Sequence, residues 1–101
     1  MAKVLFTASA QESLAGIFGY LTGPLANPPA ARALADEIDH AVGLLEKRPN
    51  LFPVCQEPRL NRMGCRKVLL GDAYLLLYRV EGPRVIVLRF CHSRQAYWNL
   101  L

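Results

Sequence analysis

From Arg66 onward the chain alternates apolar runs with short turn-forming groups. Arg66–Leu70 leads to Gly71-Asp72, residues 73–80 lead to Glu81-Gly82-Pro83, and Arg84–Phe90 closes the series. Val, Ile, Leu and Tyr fill the runs, so the pattern predicts three antiparallel strands joined by two hairpins. Upstream the period changes from two to 3.6. Leu14, Ile17, Phe18 and Leu21 fall on one helical face, and so do Leu34, Ile38, Ala41, Val42 and Leu45. Ser9-Ala10-Gln11-Glu12 reads as a capping box for the first helix, and Gly23-Pro24 ends it. Pro28-Pro29 suits the first turn of the second helix, and Pro49 stops it. Lys3–Thr7 is a short β-type run ahead of both.

The predicted order is strand, helix, helix, strand, strand, strand. This is an α+β domain with a mostly antiparallel, twisted four-stranded sheet and a helical hairpin packed on one face. Alternation places Tyr74, Leu76, Tyr78 and Val80 on one face of the third strand, under the helices, and Leu75, Leu77 and Arg79 on the other. If uncovered, a face of Val68, Leu75 and Leu77 would be a sticky patch that calls for a partner. Residues 50–64 carry Pro53 and Pro58 and read as a long connection. The register of the last hairpin stays open: one loop length pairs Val80 with Val85, another with Arg84.

The 101 residues suffice for one domain, 1–101, with its own core. No apolar run reaches the ~18 residues of a membrane span, and the start lacks the features of a secretory signal. Cys55, Cys65 and Cys91 are an odd set without a C-x-x-C pair. That argues against a disulfide framework or a zinc site and for a cytoplasmic protein with reduced thiols. No metal or cofactor is expected. Charge is uneven: residues 1–50 hold four Lys/Arg against five Asp/Glu, a net of −1, and residues 51–101 hold eight against three, a net of +5. A basic half fits a polyanion or an acidic protein.

Several pieces in order resemble the RelE/ParE superfamily of toxins from type II toxin–antitoxin systems. They are Leu44-Leu45-x-x-x-Pro49, Gly64-x-Arg66 followed by Tyr74-x-x-x-Tyr78-Arg79-Val80, and Val85-Ile86-Val87-Leu88-Arg89 leading to His92-x-Arg94-Gln95-x-Tyr97. The resemblance implies a growth-arresting toxin held in check by a cognate antitoxin in a hetero-oligomer. One branch of the superfamily poisons DNA gyrase. Another cleaves messenger RNA on the ribosome, and if this chain is an enzyme it is an endoribonuclease of that kind. Arg66, His92, Arg94 and Tyr97 are the candidate catalytic residues, or contacts if there is no catalysis. A His near neutral pH suits acid–base work, an Arg suits a phosphate, and Tyr97 suits stacking. Trp98 reads as a residue that pins the tail to the body. Arg59, Arg62, Lys67, Leu75, Leu77 and Arg79 are candidates for binding target or antitoxin. Nuclease members carry cations at the positions of Leu75 and Val68, and this departure favours gyrase or replication over RNA as the target.

Overall fold

A computed structural model describes residues 1–101. Its elements are β1 (Lys3–Phe6), α1 (Ala8–Thr22), α2 (Pro28–Lys47), α3 (Pro58–Arg62), β2 (Arg66–Leu70), β3 (Tyr74–Glu81), β4 (Arg84–His92) and a 3₁₀ turn at Tyr97–Asn99. One sheet runs in the order β1-β4-β3-β2. β2, β3 and β4 form the antiparallel meander, and β1 joins parallel to β4. Gly71 and Gly82 take φ of 64° and 58° in the two hairpin turns, a region open to glycine at little cost.

The hairpin α1–α2 packs on one face. Leu34, Ile38, Ala41 and Leu45 of α2 meet Val68, Leu70, Leu76, Tyr78, Val85, Val87 and Phe90 of the sheet in the main core. The Tyr78 hydroxyl donates to the Pro49 carbonyl at 2.9 Å, so the ring is wholly buried and its polar tip is satisfied. The tyrosine lies inside the core rather than reaching the rim.

The N-terminus of α1 differs from the capping-box expectation. Thr7, not Ser9, is the cap: its Oγ1 accepts from the Ala10 N–H at 3.0 Å and donates to the Leu88 carbonyl at 3.0 Å. Ser13 Oγ donates to the Ala10 carbonyl and accepts from the Phe90 N–H at 2.9 Å. β1 pairs only with Arg84–Val87, so Thr7 and Ser13 serve β4 backbone groups beyond the end of β1. The tertiary need of β4 selects Thr7.

The hairpin register, open from sequence, pairs Val80 with Val85 and Glu81 with Arg84. A bulge at Leu77/Tyr78 then shifts the ladder by one: Tyr78 faces Val87 and Leu77 faces Arg89, with Leu88 as the extra residue. Without it, Arg89 would oppose Leu76 inside the main core. The bulge therefore turns an arginine away from the helices, which spares the cost of burying an unpaired charge.

The second face is not bare. α3, a helix absent from the sequence reading, lies there with Leu60 wholly buried. Leu60, Cys65, Leu75, Leu77 and Cys91 form a second small core, sealed by Cys55, Met63, Leu88, Tyr97 and Leu101. Leu75 and Leu77 are 1% and 0% exposed. Val68 does not share their face, because it pairs with Leu76 and enters the main core. The expected sticky patch is thus closed by α3 and the chain's own tail.

Candidate functional site

Arg66 opens β2 opposite Tyr78, on the helix side rather than the helix-free face expected for a phosphate contact. Its Nη1 donates to the Phe52 carbonyl at 2.5 Å, which ties β2 to the loop after α2. His92 stands at the other end of the sheet. It pairs with Tyr74, and the two rings meet edge-on at 5.4 Å. Tyr74 and Tyr78 are four residues apart on β3, about 13 Å at the usual rise, and β3 separates the two strands. Arg66 and His92 do not converge.

His92 Nδ1 accepts from the Arg94 N–H at 3.2 Å, and Gln95 Oε1 accepts from the His92 N–H at 2.9 Å. These contacts fold the chain after β4 into a tight turn and leave the Arg94 side chain exposed. The imidazole sits in a shallow hollow with Ser13, Ile17 and Tyr20 of α1. No carboxylate lines that hollow.

Tyr97 lies on the opposite face. Lys67 Nζ donates to its hydroxyl at 3.1 Å and sits 5.6 Å from the ring centroid, a cation–π arrangement. Arg59 donates to the Leu101 carbonyl. The tail thus crosses from the end of β4 to α3 and is fastened by Lys67 and Arg59. Tyr97 and Leu101 do the pinning expected of Trp98. Trp98 is 38% exposed and meets Tyr97 edge-on at 5.2 Å.

The binding candidates fall into two groups. Arg59, Lys67, Leu75 and Leu77 surround the second core, the two leucines beneath its cover. Arg79 lies on the same face beside Arg89 and pairs with Glu81 at 2.5 Å. The Nε atoms of both arginines are shielded from solvent and have no acceptor. Arg62 is exposed on α3. Arg89 interrupts an apolar strand, and that signal was visible in the sequence. Its face was not, because the bulge decides it.

The three thiols gather around the second core. Burial pushes the Cys65 thiol up to about 12, with Cys55 and Cys91 adding to the rise. Burial also raises Cys91, against the pull of Arg89, and Cys55, against that of Lys67. Neutral thiols are poor nucleophiles, so none is primed for covalent chemistry. Burial raises the Tyr78 hydroxyl too, against the nearby Arg66 charge.

A four-stranded mixed sheet with a helical hairpin on one face is the RelE/ParE-like toxin fold. Residues 4–97 match the family described as ParE toxin of type II toxin-antitoxin system, parDE, and the chain belongs to that family. Solved structures share the fold. A chain of the chromosomal ParDE TA system from P. aeruginosa aligns with a TM-score of 0.71 at 22% identity, over 91% of this chain and 96% of that one. YafQ from E. coli strain BL21(DE3) aligns at 0.58 and 11% identity, over 92% and 94%. The conserved hypothetical protein HP0894 from Helicobacter pylori aligns at 0.56 and 17%, over 94% and 98%. No curated protein matches the sequence. No helix is long and apolar enough to cross a membrane.

Proposed function

We propose that this toxin arrests growth by binding and inhibiting DNA gyrase or the replication machinery, and that an antitoxin neutralises it. The observation that carries this reading is the separation of Arg66 and Tyr97 from each other and from the His92–Arg94 turn. Acid–base cleavage of a phosphodiester needs an acid, a base and a cation within hydrogen-bond reach of one phosphate. Here Arg66 is committed to the Phe52 carbonyl on the helix side. His92 is held at the far end of β3, and the Tyr97 hydroxyl is taken by Lys67 on the other face. Leu75 occupies a sealed apolar core, which has no place for the cation that the resemblance puts there in nucleases. Arg66, His92, Arg94 and Tyr97 are then structural or contact residues, and Arg59, Arg62, Lys67, Arg79 and Arg89 supply a cationic surface for an acidic partner.

The test is a supercoiling assay with purified gyrase and excess free protein. Loss of supercoiling is the expected result. Full activity at saturating protein, together with ribosome-dependent transcript cleavage, would overturn the reading in favour of an endoribonuclease. His92→Ala with Arg94→Ala would then be expected to abolish cleavage.

A further inference from the structure

Val54, in the connection after α2, bridges Arg66 in antiparallel fashion. One step further along the same pairing Cys55 stands opposite Cys65, and the Cys55 N–H donates to the Cys65 carbonyl at 2.8 Å. Residues directly opposite in an antiparallel pair turn their side chains to the same face. Here that face is the second core: Cys65 is wholly buried in it and Cys55 packs against its edge. A hydrogen-bonded antiparallel pair holds its Cα atoms about 5.5 Å apart, inside the range of about 4.4–6.8 Å that a disulfide spans. Cys91 is placed differently. It pairs with Leu75 from β4, and β3 stands between β4 and the β2 side where Cys65 lies.

The segment between the two cysteines is the cover of that core. It contains α3, and its ends are already drawn together. Glu57 caps α3 by accepting from the Leu60 N–H at 3.0 Å, and Asn61 Nδ2 donates to the Cys55 carbonyl at 3.1 Å. The Cys65 N–H donates to the Leu60 carbonyl at 2.9 Å. Cys55 itself belongs to no helix or strand, so it can adjust toward Cys65 without disrupting a long ladder. A hollow of about 390 Å³ opens on Cys55, with Lys67 and Tyr97 on its wall. A small reagent can therefore reach one thiol of the pair while the other stays covered.

We propose that Cys55 and Cys65 form a reversible disulfide site, closed by a small-molecule disulfide oxidant and reopened by thiols. The resting form is the dithiol, because burial raises both groups and keeps them protonated at neutral pH, the Lys67 charge working against this at Cys55. Cys55, half-buried at the hollow, meets the oxidant first. Its thiolate attacks one sulfur of the oxidant and expels the other half as a thiolate, which leaves a mixed disulfide. Cys65 then gives its proton to solvent, and its thiolate attacks the Cys55 sulfur and expels the second half. Two protein thiols are oxidised, and one small disulfide is reduced to two thiols. The bond closes a loop of 11 residues, 55–65, and fastens α3 over the second core at its base. Neither the target nor the antitoxin enters this chemistry, so it holds whichever target the toxin meets.

The test exposes the purified protein to oxidised glutathione, unfolds it with iodoacetamide present to block the remaining thiols, and maps its peptides by mass. A Cys55–Cys65 cross-link with Cys91 alkylated is the expected product, and dithiothreitol reverses it. Its rate is expected to rise about tenfold per pH unit between about pH 7 and 8.5, because the thiolate is the reacting species. Closing a loop of 11 residues is expected to lower the unfolding equilibrium constant about 100-fold, read as a rise in the urea midpoint of the oxidised form. In Cys55→Ser, a substitution at a half-buried site, the same treatment should leave Cys65 free and the midpoint unchanged. A lasting mixed disulfide of Cys55 with glutathione, or a Cys65–Cys91 cross-link as the main product, overturns the proposal. So does an oxidised form less stable than the dithiol, since the bond would then strain the native pairing rather than fit it.

Discussion

Leu60 is the only wholly buried residue of α3, and α3 is the main cover of the second core. Leu60→Ala removes three carbons from that contact. At about 0.8 kcal/mol per buried carbon the transfer loss is roughly 2.4 kcal/mol, and the residual cavity raises Leu→Ala costs to about 2.7–5.0 kcal/mol. α3 is five residues long and its other positions face outward or sit at the rim, so it can settle into the space. That places the cost near the low end, about 3 kcal/mol. Against ~5–15 kcal/mol for a domain of this size the variant stays folded, but the free energy holding α3 down falls. If α3 and the tail open as one unit, the open population rises about 100-fold. Cys65 is 0% exposed under this cover. Its labelling by a disulfide reagent at constant pH, read by peptide mass mapping, should accelerate by about that factor. The urea midpoint should fall in step. Ile38→Ala, in the main core, should lower the midpoint without a selective gain at Cys65. Unchanged Cys65 labelling in Leu60→Ala, or a loss under about 1 kcal/mol, would refute the picture of a core sealed by α3.

Thr7→Ala removes the cap of α1 and the tie to the Leu88 carbonyl, and should cost about 1–2 kcal/mol in chemical denaturation. Ser9→Ala, at the position the capping box favours, should cost far less. Tyr78→Phe leaves the Pro49 carbonyl without its donor and should cost about 1–2 kcal/mol. The folded-state pKa of Cys65 is raised from 9.0 to about 12, so the unfolded chain sheds this proton first. The contribution of this group is therefore complete below pH 9 and is lost as pH rises from 9 to 12, a change of at most about 4 kcal/mol at 1.36 kcal/mol per unit. Denaturant midpoints across that range check this, and Cys65→Ala should make the decline shallower, the raised Cys91, Cys55 and Tyr78 groups keeping part of it.

The periodicity that marks strands and helices was legible because each element here buries one continuous face. The meander, both long helices and the burial of Leu76 and Tyr78 under them, with Tyr74 half-buried beside them, follow from it. α3 was not legible. Its five residues, Pro58 to Arg62, contain one apolar side chain, too few to show a period. Thr7 and Ser9 are equivalent caps on local grounds, and only the carbonyl of Leu88, 81 residues away in sequence, distinguishes them. The face of Val68 depends on pairing with Leu76 across a turn, and that of Arg89 on a one-residue bulge. The candidate site suffered most from this. Arg66 and the pair His92 and Tyr97 belong to successive pieces of the same motif. The fold sends the first two to opposite ends of β3 and the third to the other side of the sheet.

The proposed inhibition by binding puts the target in DNA topology or replication. The most direct measurement induces the protein in cells without antitoxin and pulse-labels DNA and protein synthesis side by side. DNA synthesis is expected to fall first, with translation following later. An immediate collapse of protein synthesis with DNA synthesis intact would contradict it and would make Arg66, His92 and Arg94 catalytic candidates again.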